Sequence, residues 1–402
     1  MLRHLFKLIW NRKRANLLLI TEIFFSFVVL FGVGAMLLRF AQNYYSPRGF
    51  QTESVWRLTI AAKQGEKMPR PELDDVLRQV KALPGVRHVA LTSGNLPFTF
   101  STMNGFYHYK NRDSPITNNY DADDSYANTL GLHLREGRWF RASDDATKHR
   151  PVVITQDLRE ALFGQEPALG KIFTWGKANE KSPAPGPEDE YQVVGVVENV
   201  RTDTDFSPAA PSVWKRLIPY DTTHWETASV LVRVAPGQAG LLQEKIARTV
   251  AGVTRQWTTE VRTMEADRAN MRKYTLTPII GLALVGGFLI LNVALGLFGV
   301  LWYNISQRRA EIGLRRALGA TGPGISWQFL GEMSVVTTLG VLLGVLLAAQ
   351  FPLLGAFGMP PMLYVSAIGL AALLVYLITA VCAWHPSRLA AGIHPAVALR
   401  EE

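Results

Sequence analysis

The sequence predicts an integral membrane protein with four transmembrane (TM) helices and an α+β domain outside the cytoplasm. Four apolar runs are each long enough to cross a bilayer, which takes about 20 residues. Residues 41–275, between the first and second runs, contain no such run. Charged residues still make up 19% of the chain, more than a protein embedded wholly in lipid would carry. The composition therefore indicates a mixture of membrane and water-exposed parts.

The apolar runs divide the chain into nine segments. The first run ends Leu37-Leu38-Arg39-Phe40, which is a poor cleavage site, so we predict a retained helix instead of a signal peptide. In the third run, the spacing Gly340-x-x-x-Gly344 is typical of close helix packing in lipid, but also of ordinary glycine usage there. The segments are a cytoplasmic N-terminal segment (1–16), TM1 (17–40), the α+β domain (41–275), TM2 (276–303), a cytoplasmic loop (304–324), TM3 (325–350), a short extracytoplasmic loop (351–361), TM4 (362–384) and a cytoplasmic tail (385–402).

Basic residues beside the helices predict the orientation, because Lys and Arg are enriched in cytoplasmic loops. The segment before TM1 is basic and has no acidic residue, and loop 351–361 has no charge. A smaller set of basic residues flanks the opposite helix ends. We expect both termini inside and the large domain outside. The basic residues of the TM2–TM3 loop, opposed by Glu311 alone, are Arg308, Arg309, Arg315 and Arg316.

The α+β domain shows alternating strand and helix patterns at its beginning and its end. The order is β-α-β in the first part and β-α-β in the last, which is typical of a split ferredoxin-like (porter) subdomain. Residues 95–225 would then form an inserted second subdomain, and residues 263–274 would extend TM2 outward as a stalk. The predicted strands are 55–60, 86–92, 228–234 and 259–262, with helices at 71–82 and 240–250.

The sequence lacks the motifs of the common catalytic and metal-binding classes. The string from Gly164 to Ile172 has the glycine spacing of a P-loop plus one residue, and Ile172 replaces the Mg²⁺-binding Ser or Thr. The single cysteine, Cys382, cannot form an intrachain disulfide or a Cys-based metal site. We therefore predict no catalytic residue, metal site or cofactor in this chain. The net charge of +9 is concentrated beside the apolar runs, which favours lipid headgroups over nucleic acid.

Two acidic residues lie within the predicted membrane segments: Glu22 in TM1 and Glu332 in TM3. Ionisable residues at membrane depth usually have a function. Both residues, however, lie one to two turns from the predicted cytoplasmic helix ends. Snorkelling to the interface, or pairing with a nearby arginine, is the alternative.

The TM2–TM3 loop is predicted to form a short amphipathic helix. Ile312, Leu314, Ala317 and Leu318 give it apolar surface, the four arginines give it a basic face, and Gly319 suits its C-terminal end. From these residues alone, a helix lying on anionic lipid and a helix contacting a protein partner are equally acceptable.

The loop resembles the motif R-x-x-E-I-G-x-R-[RK]-A-x-G-A of MacB/FtsX-type (type VII) ABC transporter permeases. The tail 386–400 is similar to the family's closing P-x-x-x-A-x-x-x-x-P-x-x-A-L-R, and Glu332 matches a common acid of the third helix. Segments 131–140, 162–171 and 191–197 resemble the MacB-like periplasmic core domain. The loop matches the motif at Arg308, Glu311, Ile312, Gly313, Arg315, Arg316, Ala317, Gly319 and Ala320.

This resemblance implies the permease subunit of an ABC transporter in the bacterial inner membrane, with its large domain in the periplasm. It implies a dimer with a second copy or a paralogous permease, and in the MacB branch a periplasmic adaptor and an outer-membrane channel. ATP and Mg²⁺ would be bound by a partner ATPase dimer. We expect that ATPase to be separate, because only about 16 residues precede TM1. The residues expected to contact it are Arg308, Glu311, Ile312, Gly313, Leu314, Arg315, Arg316, Leu318 and Gly319.

Two functions are compatible with the resemblance. One is mechanotransmission, in which ATP hydrolysis by the partner drives conformational change outside the membrane and so efflux or release of a substrate. The other is that of the FtsX branch, in which the membrane protein activates extracytoplasmic enzymes and transports nothing. The size of the outer domain and its MacB-like segments favour the first.

Overall fold

The computed structural model describes residues 13–391 except 64, 101–102, 178–188, 218–224, 238, 255–256 and 308. Much of the predicted N-terminal segment and tail, and Arg308, therefore lie outside the described residues. The helices are α1 (Lys13–Tyr45), α2 (Arg70–Lys81), α3 (Tyr126–Leu130), α4 (Gln156–Phe163), α5 (Ala239–Val253), α6 (Met264–Gln307), α7 (Arg309–Ala317), α8 (Gly322–Ala348), α9 (Gln350–Leu353) and α10 (Pro361–Ala391).

The strands all belong to one sheet. They are β1 (Val55–Ala61), β2 (Val86–Gly94), β3 (Asn104–Gly105), β4 (Tyr107–Tyr109), β5 (Arg112–Asp113), β6 (Thr117–Ala122), β7 (Leu134–Gly137), β8 (Arg150–Thr155), β9 (Ile172–Trp175), β10 (Glu190–Val197), β11 (Ser212–Arg216), β12 (Thr227–Val234) and β13 (Thr258–Thr263). The chain divides into two compact units. The sheet domain runs from Asn43 to Thr275, and the sequence segments before and after it together form the membrane unit.

The four predicted membrane helices are confirmed: the described part of the chain has four helices long and apolar enough to cross a bilayer. Buried Ile23 and Phe27 of α1 belong to the core of the membrane unit. Glycines of α8 allow α1 to approach closely, because a Cβ added at Gly344 would lie 2.2 Å from Cδ1 of Phe27. Helix α6 is 44 residues long and contains Pro278 in its interior. Its first turns, and the last residues of α1, belong to the sheet domain.

One half of the sheet domain has the predicted ferredoxin-like topology. The strands lie in the order β13-β1-β12-β2, and each neighbouring pair is antiparallel. The alternation of Val230 and Val232 places both side chains on the same, buried face. Helices α2 and α5 cover this face, with Val76 and Ile246 fully buried against it. Apolar periodicity thus determines this half of the domain.

The inserted subdomain continues the same sheet. Strand β2 pairs with β6, so that Thr92 lies opposite Ala122, and the order continues β6-β11-β8-β10-β9-β4-β5. Strands β7 and β10 approach closely at Gly137, which has φ of +71°. A Cβ added there would lie 2.3 Å from the carbonyl oxygen of Val194, so the position admits only glycine.

Candidate functional site: the loop helix and the helix clasp

The TM2–TM3 loop forms helix α7, referred to below as the loop helix, as predicted from its amphipathic pattern. Ile312 is 4% exposed and packs in one cluster with Ile305, Ile325 and Phe329. Ile305 belongs to α6, whereas the other two belong to α8. The loop helix is therefore held by apolar contacts with both membrane helices that it connects.

A chain of hydrogen bonds also joins the loop helix to α8. Arg315 donates from Nη2 to the carboxylate of Glu311, and from Nη1 to Oε1 of Gln328 at 2.9 Å. Gln328 in turn donates from Nε2 to Oε1 of Glu332 at 3.2 Å. Arg315 is thus positioned by two partners, and Glu332 is connected to it through Gln328. Sequence reasoning missed Gln328, although its spacing of four residues from Glu332 is a helical-pair signal.

The opposite side of the loop helix exposes apolar surface. Leu314 is 52% exposed and Leu318 is 80% exposed. Gly319, with φ of +98°, follows in the left-handed conformation that commonly ends helices. Ile312 and Gly313, which were expected to contact a partner, are buried within this chain because that side of the helix packs on α6 and α8. The side chain of Arg316 lies outside the described part of the chain.

The second intramembrane acid lies between two helices. Glu22 of α1 is half-buried, and its carboxylate occupies space that a side chain at Gly296 of α6 would need. A Cβ added at Gly296 would lie 2.5 Å from Oε1 of Glu22. The two positions are therefore in contact: a larger side chain at 296 would require the carboxylate of Glu22 to move.

A segment of the sheet domain, residues 201–206, holds the ends of both long helices; we call it the clasp. The side chain of Asp205 is 2% exposed and accepts hydrogen bonds from Arg268 Nε at 2.9 Å and from Arg272 Nη2 at 2.8 Å. Both arginines belong to α6. Burial alone would raise the pKa of Asp205, but the hydrogen bonds from Arg268 and Arg272 outweigh it and lower the pKa.

The clasp binds the end of α1 through Arg201, whose guanidinium is buried. The guanidinium donates hydrogen bonds to the backbone carbonyls of Asn43, in the last turn of α1, and Ser46, the residue that follows the helix. Arginine in this position satisfies carbonyls that have no intrahelical partner. The same guanidinium donates from Nη1 to the carbonyl of Asp205 at 2.8 Å. In addition, Asn43 donates from Nδ2 to the carbonyl of Phe206 at 2.6 Å.

A further ion pair fixes the start of α6 to the sheet. Arg57 of β1 binds Asp267 in bidentate fashion, with N···O distances of 2.8 and 3.0 Å. Met264 and Met271 are buried in the apolar cluster beneath. Together with the clasp, these contacts make the first turns of α6 part of the sheet domain. Sequence reasoning missed all of them, because each partner is distant in sequence.

Two family models match the chain over most of its length. Residues 16–249 match the MacB-like periplasmic core domain, and residues 283–395 match the FtsX-like permease C-terminal domain. The first match alone covers more than half of the 402 residues.

The chain is also similar to individual known proteins. It is 25% identical over 334 residues to an ABC transporter permease, YknZ, of Bacillus subtilis, covering 81% of this chain and 78% of that protein. It is 27% identical over 239 residues to a macrolide export ATP-binding/permease protein, MacB 1/2, of Paracoccus denitrificans, covering 57% of this chain and only 33% of that protein.

Among solved structures, the periplasmic region of MacB from Actinobacillus actinomycetemcomitans aligns with a TM-score of 0.38 and 14% identity. That alignment covers 57% of this chain and 98% of the other. The first family model covers more than half of the chain, and the second covers the region of the last three membrane helices. The chain belongs to the MacB/FtsX-type family of ABC transporter permeases.

Proposed function

We propose that this chain is a mechanotransmitting permease subunit, which converts ATP hydrolysis by a separate ABC ATPase into movement of the sheet domain and so drives efflux or release of a substrate. The sequence contains no P-loop, which supports an ATPase on another chain. The proposed location is the bacterial inner membrane, with the termini and the loop helix cytoplasmic and the sheet domain periplasmic. The active assembly would pair this chain with a second copy or a paralogous permease.

The arrangement of the loop helix carries this proposal. One side of the helix is held to α6 and α8 by Ile312 and by the Arg315–Gln328–Glu332 hydrogen bonds. The other side exposes Leu314 and Leu318. Exposed apolar side chains beside charged groups suit a protein interface. A partner bound to that side would displace α6 and α8 together, because the loop helix is anchored to both. We assign the ATPase contact to Leu314 and Leu318, with Glu311 and Arg315 beside them.

Co-purification of the full chain from its native host tests the proposal. We expect a small ABC ATPase to be recovered with the wild-type chain and lost with Leu318→Glu. The substitution should not unfold the chain, because Leu318 makes little contact within it. Leu134→Glu, on the sheet domain, is the matched control and should retain the ATPase. If Leu318→Glu retained the ATPase as well as Leu134→Glu does, the assigned interface would be wrong.

The same experiment separates the transport function from the regulatory one. Recovery of a periplasmic adaptor or an outer-membrane channel with the complex supports efflux. Recovery of a cell-wall hydrolase supports the FtsX-like alternative, in which the sheet domain activates an enzyme. Failure to recover any ATPase, even when ATP hydrolysis is blocked, would contradict both, and the loop helix would then be assigned to anionic lipid.

A further inference from the structure

The membrane unit contains an apolar cavity of about 590 Å³, formed by α1, the C-terminal end of α8 with α9, and the start of α10. Its lining is apolar apart from the hydroxyl of Tyr364, which donates a hydrogen bond to the carbonyl of Ala356. Apolar cavities of this kind do not hold water, and even a cavity of about 150 Å³ accommodates a benzene ring. The cavity therefore has the size and the chemistry for a hydrocarbon chain.

Aromatic rings form one wall of the cavity. Phe351 packs edge-on against Phe31 at 5.6 Å between ring centroids, and stacks with Phe357 at 6.2 Å. Phe357 has φ of +56°, a left-handed conformation that is unfavourable for any residue with a Cβ atom. Such conformations persist where the surrounding structure enforces them, often at binding sites. Here the loop holds the Phe357 ring, which is 77% exposed, at the cavity wall.

A basic residue lies just beyond the cavity on the same helix. The α1 residues that line the cavity include Gly32, Ala35 and Met36, which share one helical face. Arg39 is three residues further along this face, about 4.5 Å along the helix axis from Met36. It is half-exposed, and no hydrogen bond or ion pair joins it to another residue of the described chain. Arg39 therefore places an available positive charge at the predicted outer end of TM1 (17–40).

We propose that this cavity is a phospholipid-binding site. An acyl chain of a bilayer phospholipid fills the cavity, and the guanidinium of Arg39 binds the phosphate of its headgroup. An apolar protein segment would fill the cavity but would leave Arg39 without a partner. A phospholipid fills the cavity with an acyl chain and also brings a phosphate to Arg39. The site requires only that the membrane unit lie in a bilayer, so it is independent of the proposed coupling to an ATPase.

Photolabelling in a defined bilayer tests the site. The full chain is reconstituted into nanodiscs of phosphatidylglycerol and phosphatidylethanolamine, part of the latter with a diazirine near the end of one acyl chain. After irradiation, mass spectrometry maps the lipid adducts. We expect adducts on cavity residues such as Met36 and Met359. Native mass spectrometry of the released complex should show one retained phospholipid per chain.

Two kinds of variant check the two halves of the site. Gly32→Leu should remove the cavity adducts, because a Cβ added there meets no other side chain or helix within 4 Å and the new side chain fills the space. Gly369→Leu is the matched control and should keep the adducts, since Gly369 is also exposed on a membrane helix and a Cβ added there also meets no other side chain or helix within 4 Å. Arg39→Glu should lose the retained phospholipid, and Arg39→Lys should keep it.

Two results would overturn the proposal. One is wild-type labelling that spares the cavity, or that persists in Gly32→Leu. The other is found when methionine is replaced by photo-methionine: a crosslink from Met36 or Met359 to a second chain would mean that a second copy of the protein occupies the cavity. Size-exclusion chromatography checks that Gly32→Leu is folded. If that variant aggregates, native mass spectrometry of the two Arg39 variants tests the site instead. Equal phospholipid retention by Arg39→Glu and Arg39→Lys refutes the site.

Discussion

Replacing Asp205 by asparagine would weaken the attachment of α6 to the sheet domain with almost no change in side-chain shape. The carboxylate accepts hydrogen bonds from both Arg268 and Arg272. Asparagine has one acceptor oxygen, and its amide group faces arginine donors. Removing one partner from a buried ion pair costs about 3–5 kcal/mol. Because both arginines are partly solvent-exposed, we expect a cost at or below the lower end of that range, about 2–3 kcal/mol.

Hydrogen exchange of the full chain in nanodiscs measures this cost locally. If the first turns of α6 exchange by release of the clasp, amides of residues 264–275 should exchange roughly 30- to 150-fold faster in Asp205→Asn, as about 2–3 kcal/mol requires. The control is Glu244→Gln, which breaks the exposed pair between Glu244 and Arg248 on α5. Exposed pairs contribute about 0–1 kcal/mol, so exchange should change little.

The outcome that refutes this reasoning is equal exchange in the two variants. The start of α6 would then be held by the Arg57–Asp267 pair and by buried Met264 and Met271 without help from the clasp. A slowing of exchange in Asp205→Asn would contradict it more strongly, because it would mean that the buried carboxylate destabilises the native state.

Three further predictions concern single positions. Burial lowers the pKa of Lys215 to about 8. As the pH rises, the folded state therefore loses this proton before the unfolded state does, and the free energy of unfolding should increase between about pH 8 and 10.5. Calorimetry of Lys215→Met should show a smaller increase over the same pH range. Gly344→Leu should lower the unfolding temperature in detergent because its side chain meets Phe27, whereas Gly331→Leu, in open space, should not. Gly137→Ala should destabilise by more than about 3 kcal/mol, since it adds a backbone clash to the about 1–2 kcal/mol of left-handed strain. Gly170→Ala, at φ of +77° with open space around it, should show the strain alone in urea unfolding.

Long, periodic features of the sequence predicted most of the architecture. Apolar length identified the four membrane helices, and alternating valines identified β12, because these signals arise from burial along a whole element. The basic and apolar faces of the loop predicted α7. Strands β3 and β5 were missed, since two residues each carry no periodicity. The bond of Asp205 to Arg268 spans 63 residues, and no local pattern encodes such a pair.

Pro278 divides helix α6 into two segments of unequal length. Proline removes one backbone hydrogen bond and displaces the preceding turn, so a long helix bends most easily there. The segment from Pro278 back to Met264 is about 21 Å long and the segment on to Gln307 is about 44 Å long, at 1.5 Å per residue. A change of a given angle at Pro278 therefore displaces Gln307 about twice as far, relative to the bend, as it displaces Met264.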